Sequence, residues 1–258
     1  MLTNLHQGTV IAFADLKAVY TWKTWLFGWL VRVLSQVLFY AMIGVLLGDP
    51  EQVRFLVLGN AVMCCAVEVS LTIASTSWDR NFGTTPLLAG SPMRPGWLFF
   101  GRSLQWPLSG SVTSLVALFT LAPLFGVHWS PAQVPLVVGL VFLIAFSVYA
   151  GVLFVAALVL TVSSARNVVL NLNVMVMMAV CGVQVPLDFW PEPVQWFAAV
   201  LPLTHGIEAV RALEAGGALT EVVREAALTG GLGLVWFLAA SVAFRAVFGL
   251  YRRGTVEL

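Results

Sequence analysis

Six apolar stretches, each long enough to cross a lipid bilayer, run through this chain of 258 residues. A hydrocarbon core of about 30 Å needs roughly 20 apolar residues per helix, so six such helices with short links use nearly the whole length. Because 60% of the residues are hydrophobic and only 10% are charged, the composition excludes a soluble domain and predicts one all-α integral membrane domain over residues 1–258. The predicted spans cover residues 25–47, 55–77, 97–124, 134–161, 168–185 and 229–250.

Positive charge falls mainly on one side when these spans are threaded in order. Of the 13 Lys and Arg residues, all but three lie on the side of the two termini. Since Lys and Arg near span ends are retained in the cytoplasm, the asymmetry predicts that both termini are cytoplasmic. The residues on that side are Lys17, Lys23, Arg32, Arg80, Arg94, Arg102, Arg166, Arg245, Arg252 and Arg253, and those opposite are Arg54, Arg211 and Arg224.

Two segments outside the spans are still apolar enough to contact the membrane. Residues 9–24 place an apolar face beside scattered charges, which favours a helix lying in the cytoplasmic interface over a simple extension of the first span. Residues 186–228 hold two apolar helical pieces, each too short to span and punctuated by Pro and Gly. This pattern predicts a pair of external helices that dip into the membrane as re-entrant elements.

The loop of residues 78–95 is the longest polar segment on the predicted cytoplasmic side. Asp79 is a good helix N-cap, and Phe82, Leu87 and Leu88 follow it as apolar residues. The pattern predicts a short amphipathic helix parallel to the membrane, whose apolar side fits a groove on a soluble partner. An ordinary connecting loop is equally compatible with it.

Glu68 is the one acidic residue within a predicted span. Burying a carboxylate in hydrocarbon is costly, so we expect it to face the bundle interior, a cavity or a subunit interface. Proton coupling is one use for such a group. Pairing with neighbouring hydroxyl groups, such as those of Ser70, Thr72 and Ser75, is the interpretation that we favour.

The densest polar cluster lies before the last span, at Thr204, His205, Glu208 and Arg211. Pro202 stands where a helix would begin, and Thr204 follows as a first-turn hydroxyl. Glu208 and Arg211 are three apart, so we predict an ion pair between them. His205 and Glu208 have the spacing of some metal ligand pairs, but one pair provides too few ligands, and we predict no metal site.

The fifth predicted span mixes amide and thioether side chains. Such a surface is polarisable and adaptable, which is typical of a substrate-facing or dimer-facing wall; ordinary packing is the alternative. The candidates for this wall, with Glu68, are Asn171, Asn173, Met175 and Met178.

Nucleotide binding is not expected of this chain. The pattern G-x-x-x-x-G-K-[ST] does not occur, and the two lysines, Lys17 and Lys23, have no glycines before them. ATP-driven work would therefore need a separate subunit.

Enzymatic activity is not expected either. The sequence has no nucleophilic serine elbow. An intramembrane enzyme would need polar groups that converge at one membrane depth, and the polar residues here are scattered, so we predict that the chain is not an enzyme. Its dispersed net charge of +1 gives no basis for nucleic-acid binding.

Two segments of the sequence, in the order in which they are given below, resemble motifs of one family. WDRNFGTTPLLAGSP resembles the coupling segment of the membrane subunits of type-2 ATP-binding-cassette exporters, although its Pro86 is unusual there. LPLTHGIEAVRAL resembles a segment of the drug-exporting and antibiotic-exporting members. Together with the topology, the resemblance covers nearly the whole chain.

This resemblance implies a function and a set of partners. It implies two copies of a nucleotide-binding ATPase subunit, which bind ATP and Mg²⁺, with a second permease copy or a paralogue, in a bacterial plasma membrane. The substrate would be a drug, an antibiotic or another natural product, with a polysaccharide or lipid-linked glycan as the alternative; a proton-coupled transporter acting through Glu68 is the alternative from another class. The implied coupling residues are Trp78, Asp79, Arg80, Phe82, Gly83, Thr84, Leu87 and Leu88, and the implied external gate residues are Pro202, Thr204, His205, Glu208 and Arg211.

Overall fold

The computed structural model describes residues 8–10, 12–14, 17, 21–81, 95–161 and 165–253, with the backbone alone at 77–81, 95–96, 98 and 252. Every regular element in these ranges is a helix, which confirms the predicted all-α membrane fold. The helices are α1 Thr24–Leu47, α2 Pro50–Asn81, α3 Pro95–Arg102, α4 Gln105–Val116, α5 Val134–Val159, α6 Arg166–Val180, α7 Glu192–Ala199, α8 Pro202–Glu214 and α9 Leu219–Arg252.

Five helical segments in the described part are long and apolar enough to cross a membrane. They are α1, α2, α5, α9 and the run Phe99–Phe125, in which α4 continues through a π-helical turn and a 3-10 turn. The predicted fifth span, 168–185, differs from this pattern because α6 has 15 residues and ends at Val180. At 1.5 Å per residue α6 is only about 22 Å long. The chain leaves it at Gly182, whose φ of 73° ends the helix.

The last helix begins earlier than predicted. Residues 219–228, which the sequence placed in the external segment, are the first turns of α9. Their charged residues, Glu221, Arg224 and Glu225, have a spacing of three and four, which fits a helix. In the same way α2 begins at Pro50 rather than near residue 55. Proline is favourable in a first turn, and the Asp49 carboxylate accepts the backbone N–H of Glu51 at 2.9 Å.

Helix α2 forms the centre of the bundle and packs against α1, α4, α5, α6 and α8. Its buried face carries small and medium side chains, including Val57, Ala61, Cys65 and Val69. Small residues let helix backbones approach closely, which is how packing stabilises helices in a lipid environment.

The most extensive helix–helix contact in the described part of the chain is that between α5 and α9. The two helices are in close contact at Gly233, where a Cβ atom would lie 2.6 Å from Ser147 Oγ and 2.8 Å from Ser147 Cα. At one end of the pair the Tyr251 hydroxyl donates to the carbonyl oxygen of Leu160 at 2.6 Å. We call this end of the bundle the α3 end, because Phe99 of α3 packs on Phe248 there.

The opposite end of the bundle carries the two short helices α7 and α8, which lie within the segment predicted to hold such a pair. Only two residues connect them, and the Thr204 hydroxyl of α8 donates to the carbonyl oxygen of Ala198 in α7 at 2.7 Å. Gln133 donates to the carbonyl oxygen of Leu213 at 2.7 Å, so the end of α8 is bound to the start of α5. We call this the α8 end.

Candidate functional site

Arg211 forms the centre of the contacts at the α8 end. Its Nη1 donates to Glu208 at 3.0 Å, and its Nη2 donates to the carbonyl oxygens of Phe55 at 3.1 Å and Gly182 at 2.7 Å. The guanidinium also lies 3.6 Å from the centre of the Phe55 ring. A planar group with several donors suits this task better than an ammonium group. One side chain therefore joins α8 to the start of α2 and to the turn after α6.

The Arg211 guanidinium is largely buried, so its charge has to be stabilised by neighbouring acceptors. The Arg211 side chain is 13% exposed, whereas that of Glu208 is 42% exposed. Desolvation lowers the pKa of the Arg211 guanidinium, and the Glu208 carboxylate opposes this effect. Arg211 Nε is buried and has no hydrogen-bond partner among the described residues. The carboxylate and the two carbonyl oxygens thus hold a cation that burial alone would disfavour.

A glycine makes room for this junction. A Cβ atom at Gly59 would lie 2.3 Å from the carbonyl oxygen of Val183 and 3.0 Å from Arg211 Nη2. Gly59 lies one turn beyond Phe55 on α2, so the close approach of α2 to the turn after α6 depends on a missing side chain.

His205 joins three helices. Its Nδ1 lies 2.7 Å from Glu225 Oε2 on α9, and its Nε2 lies 3.0 Å from the carbonyl oxygen of Ala199 on α7. Both partners are acceptors, so both contacts are hydrogen bonds only when the imidazole is protonated at both nitrogens. Glu225 also accepts from Arg224 at 2.8 Å. The α7–α8 pair is therefore bound to the first turns of α9 through His205.

The five predicted gate residues all lie on α8, with Pro202 in its first turn and the Glu208–Arg211 ion pair formed as predicted. Thr204 lies in the first turn of α8, as predicted, but its hydroxyl makes no cap hydrogen bond and donates to α7 instead. His205 and Glu208 do not act together, since each is bound to a different neighbour.

Glu68 lies in a polar cluster on the other side of α2. It is 1% exposed, and its Oε1 accepts the indole N–H of Trp29 at 2.8 Å and the hydroxyl of Thr113. Trp25, one turn before Trp29, donates to Ser109 at 3.3 Å. The partners are thus side chains of α1 and α4. Of the neighbours expected from the sequence, Ser70 and Ser75 instead donate to backbone carbonyl oxygens of their own helix.

The wall residues predicted on α6 separate into two sets. Asn173 and Met178 face inward: Asn173 donates to Ser70 at 3.0 Å, and Met178 Sδ lies 3.8 Å from Gln36 Nε2. Asn171 is exposed and donates to the carbonyl oxygen of Asn167, and Met175 is 67% exposed. Glu68 contacts α1 and α4 rather than α6. The structure therefore brings Asn173 and Met178 to the bundle and does not join them to Glu68.

Five of the eight predicted coupling residues lie outside the described residues. The backbone of α2 continues through Trp78, Asp79 and Arg80 to Asn81, and the rest of the segment, 82–94, is not described. Of the predicted interfacial helix, 9–24, the structure describes residues 9–10, 12–14, 17 and 21–24, and each of these except Thr21 is helical.

The sequence did not predict four residues of these clusters as site residues: Phe55, Gly59, Trp29 and Glu225. Phe55 and Gly59 lie in an apolar run in which periodicity gives no sign of a cation or of a backbone contact. Trp29 lies in the apolar run of the first predicted span, where no local spacing pairs it with Glu68. Glu225 follows Glu221 by one helical turn, a spacing that could have identified the first turns of α9.

The architecture defines a multi-pass membrane protein in which short helices are held across one end of a helical bundle. The sequence model of one family, described as ABC-2 type transporter, matches residues 12–215, a range that extends from the N-terminal segment to the end of α8. The chain therefore belongs to the ABC-2 type transporter family and is a transport permease subunit. No curated protein and no solved structure matches it.

Proposed function

We propose that this chain forms the membrane pathway of an ATP-driven exporter of a lipophilic or amphipathic small molecule, such as a drug, an antibiotic or another natural product. The observation that carries the proposal is the family match over residues 12–215. Energy comes from a separate nucleotide-binding subunit that binds ATP and Mg²⁺. The complex lies in a bacterial plasma membrane with both termini of this chain in the cytoplasm.

A cavity of about 210 Å³ supports the substrate class. It lies between α5, α6, α9 and the α7–α8 pair, and its walls include the rings of Phe154, Phe197 and Trp236. Asn173 is a polar lining residue, and its N–H group is bound to Ser70. A glycan would need many more polar partners than this wall offers. Since drug-sized sites have about 300–1,000 Å³, the cavity suits one ring or chain of a larger molecule.

The cavity lies beside a surface that suits lipid. Trp236 closes it on α9 by donating to the carbonyl oxygen of Val200 at 2.8 Å. The neighbouring side chains of Leu234, Val235 and Leu238 are 62%, 60% and 58% exposed. A lipophilic molecule dissolved in the bilayer would therefore reach the cavity without crossing water.

The assembly that we propose contains two permease subunits and two ATPase subunits. Exposed apolar side chains on α1 and α6 support a second permease copy or a paralogue, because both helices have unpaired faces: Leu38 and Met42 on α1, Leu172 and Met175 on α6. The segment from Asp79 to about Leu88 contacts the ATPase as a coupling helix, and the α7–α8 pair acts as the external gate.

Transport by the reconstituted complex tests the function directly. The permease and its ATPase partner, in inside-out vesicles, should accumulate a lipophilic fluorescent dye only when ATP is supplied. Vesicles with an inactive ATPase serve as the control. Accumulation of a glycan instead of the dye would favour the glycan-exporting alternative.

Filling the cavity tests its part in transport. Gly151 lines it, and a Cβ atom there would meet only the Trp236 ring, at 3.8 Å. Gly151→Leu should lower the dye transport rate while the complex remains assembled. Gly139→Leu on the same helix, where nothing lies within 4 Å, should leave the rate unchanged. Equal rates for both variants would remove the cavity from the pathway.

The coupling segment is tested by co-purification. Arg80→Gln on the predicted cytoplasmic side should reduce the ATPase recovered with the tagged permease. Arg54→Gln makes the same change on the opposite side and should not. Equal recovery with both variants would contradict the proposed coupling segment.

Proton coupling through Glu68 remains the alternative from another class. It requires dye transport that is driven by a proton gradient without ATP and is lost in Glu68→Gln. The hydrogen bonds that Trp29 and Thr113 donate to Glu68 support a structural, hydrogen-bonding role for this residue. The proposal therefore expects Glu68→Gln to keep ATP-dependent transport.

A further inference from the structure

A groove of about 340 Å³ runs between the N-terminal segment, α1 and α4 at the predicted cytoplasmic side. It lies apart from the cavity beside Trp236 and from the α8 end. Its lining residues are Phe13, Lys17, Thr21, Trp22, Trp25, Gln105, Leu108, Ser109 and Val112. Its volume falls within the range of about 300–1,000 Å³ that is usual for small-molecule sites.

One face of α4 forms the floor of this groove. Gln105, Leu108, Ser109 and Val112 follow each other at positions i, i+3, i+4 and i+7, which places them in one stripe along the helix. The stripe is about 10 Å long. Its polar residue Gln105 is at the end near Arg102, and the apolar Val112, which is 46% exposed, is at the other. The floor therefore runs from polar to apolar along the helix.

The opposite wall is aromatic and carries positive charge. Phe13, Trp22 and Trp25 provide the apolar surface, and Trp22 is 69% exposed. Lys17 lines the groove directly, and Lys23 Nζ lies 5.6 Å from the centre of the Trp22 ring. Lys17 is thus the one charged residue among the described residues that line the groove. An anionic group is the complement of such a wall.

Gln105 gives an independent indication of a ligand. The residue is 1% exposed, and no hydrogen-bond donor among the described residues reaches its Oε1. An unpaired buried acceptor is costly, and a bound hydroxyl or amine group would satisfy it. A phosphate diester has no proton to donate, so the donor has to come from another part of the ligand, such as a glycerol headgroup.

We propose that this groove binds one anionic phospholipid with a hydroxyl-bearing headgroup, of which phosphatidylglycerol is the probe. The phosphate lies at Lys17, a headgroup hydroxyl donates to Gln105, and one acyl chain lies along Leu108 and Val112. The inference goes beyond the transport function, because the lipid is bound at the N-terminal segment rather than in the pathway.

Lipid titration of the purified, delipidated full chain tests the proposal. Native mass spectrometry counts the lipid molecules bound at increasing concentrations of phosphatidylglycerol or phosphatidylcholine. The wild-type chain should bind the first phosphatidylglycerol more tightly than phosphatidylcholine by about fivefold or more, the effect of one lysine near a membrane surface. Millimolar inorganic phosphate should not compete, because the acyl chain contributes to binding.

Two variants distinguish the contribution of the lipid headgroup to binding from that of the acyl chain. Lys17→Gln should weaken the binding of phosphatidylglycerol and reduce its preference over phosphatidylcholine, whereas Arg253→Gln, the same change outside the groove, should keep the preference. Val112→Trp should weaken the binding of both lipids. Val235→Trp, at an exposed position of α9, is its control.

The outcomes are distinguishable. If Lys17→Gln or Val112→Trp binds phosphatidylglycerol as the wild type does, the lipid is not in this groove and the proposal is overturned. Competition by inorganic phosphate would also overturn it, in favour of a simple anion site. Both residues are partly or fully exposed, so the variants should fold, and thermal unfolding of each variant checks this.

Discussion

The guanidinium of Arg211 stacks on the ring of Phe55 at 3.6 Å and donates to the carbonyl oxygen of the same residue at 3.1 Å. The two contacts are of different kinds, one with a π face and one with a backbone acceptor. A further bond to the carbonyl oxygen of Gly182 adds the turn after α6. The position of α8 on the bundle therefore depends strongly on one side chain.

Arg211→Gln should destabilise the chain substantially. The variant loses the stacking on Phe55 and leaves the carbonyl oxygens of Phe55 and Gly182 without their donor. Breaking a buried charged contact of this kind costs about 3 kcal/mol, which should appear as a lower midpoint of thermal unfolding in detergent. Arg54→Gln changes an exposed residue and should stay within about 0.5 kcal/mol of the wild type. Equal midpoints would show that Arg211 does not hold α8.

Gly59→Ala should be destabilising because the added methyl group would meet a backbone atom. At 2.3 Å from the carbonyl oxygen of Val183, the methyl group cannot be accommodated by a side-chain rotation. We expect a loss of about 2 kcal/mol or more from the strain of overpacking. Gly139→Ala, with nothing within 4 Å, should be neutral or stabilise α5 by up to about 1 kcal/mol. Thermal unfolding of the two variants side by side measures the difference.

The α5–α9 contact can be tested with two glycines of one helix. Gly233→Ala would place its methyl group 2.8 Å from Ser147 Cα, whereas Gly231→Ala meets nothing within 4 Å. Gly233→Ala should therefore cost about 1–3 kcal/mol through overpacking, and Gly231→Ala should not destabilise. Adding Ser147→Gly to Gly233→Ala should recover part of the loss. A Gly233→Ala chain as stable as the wild type would mean that the two helices lie further apart.

Two substitutions of Glu68 should show whether its charge or its hydrogen-bond acceptors stabilise the fold. Glu68→Gln keeps an oxygen that accepts from Trp29 and Thr113, so its cost should be below about 1 kcal/mol. Glu68→Leu leaves both donors without a partner and should cost about 2–3 kcal/mol. Unfolding midpoints of the two variants in detergent provide the comparison. A larger loss for Glu68→Gln than for Glu68→Leu would contradict the hydrogen-bonding role.

The elements that could be predicted from the sequence are those with a strong local signal. Runs of apolar residues gave the long helices, and Pro202 with its downstream polar residues gave the start of α8. The Glu208–Arg211 pair followed from helical spacing alone. These features depend on neighbours within one or two turns, where the sequence carries enough information.

Features that depend on distant partners could not be predicted. The carbonyl oxygens that Arg211 binds belong to residues far away in the chain, and no residue type signals a free carbonyl. The hydroxyl of Thr204 had a plausible local partner at the helix start, yet it is bound to Ala198 instead. The first turns of α9 were assigned to the external segment, because His205, the partner of Glu225, lies on another helix. Tertiary contacts, rather than propensity, decide these positions.

The length of α9 has a mechanical consequence. The stretch from Glu225 to Tyr251 is about 39 Å long at the rise of an α-helix, and each of its ends is bound, to His205 of α8 and to Leu160 after α5. If this rod swings by about 10° around Tyr251, Glu225 travels about 7 Å. A small rotation near one membrane surface would thus be delivered to the opposite surface as a displacement larger than a helical turn.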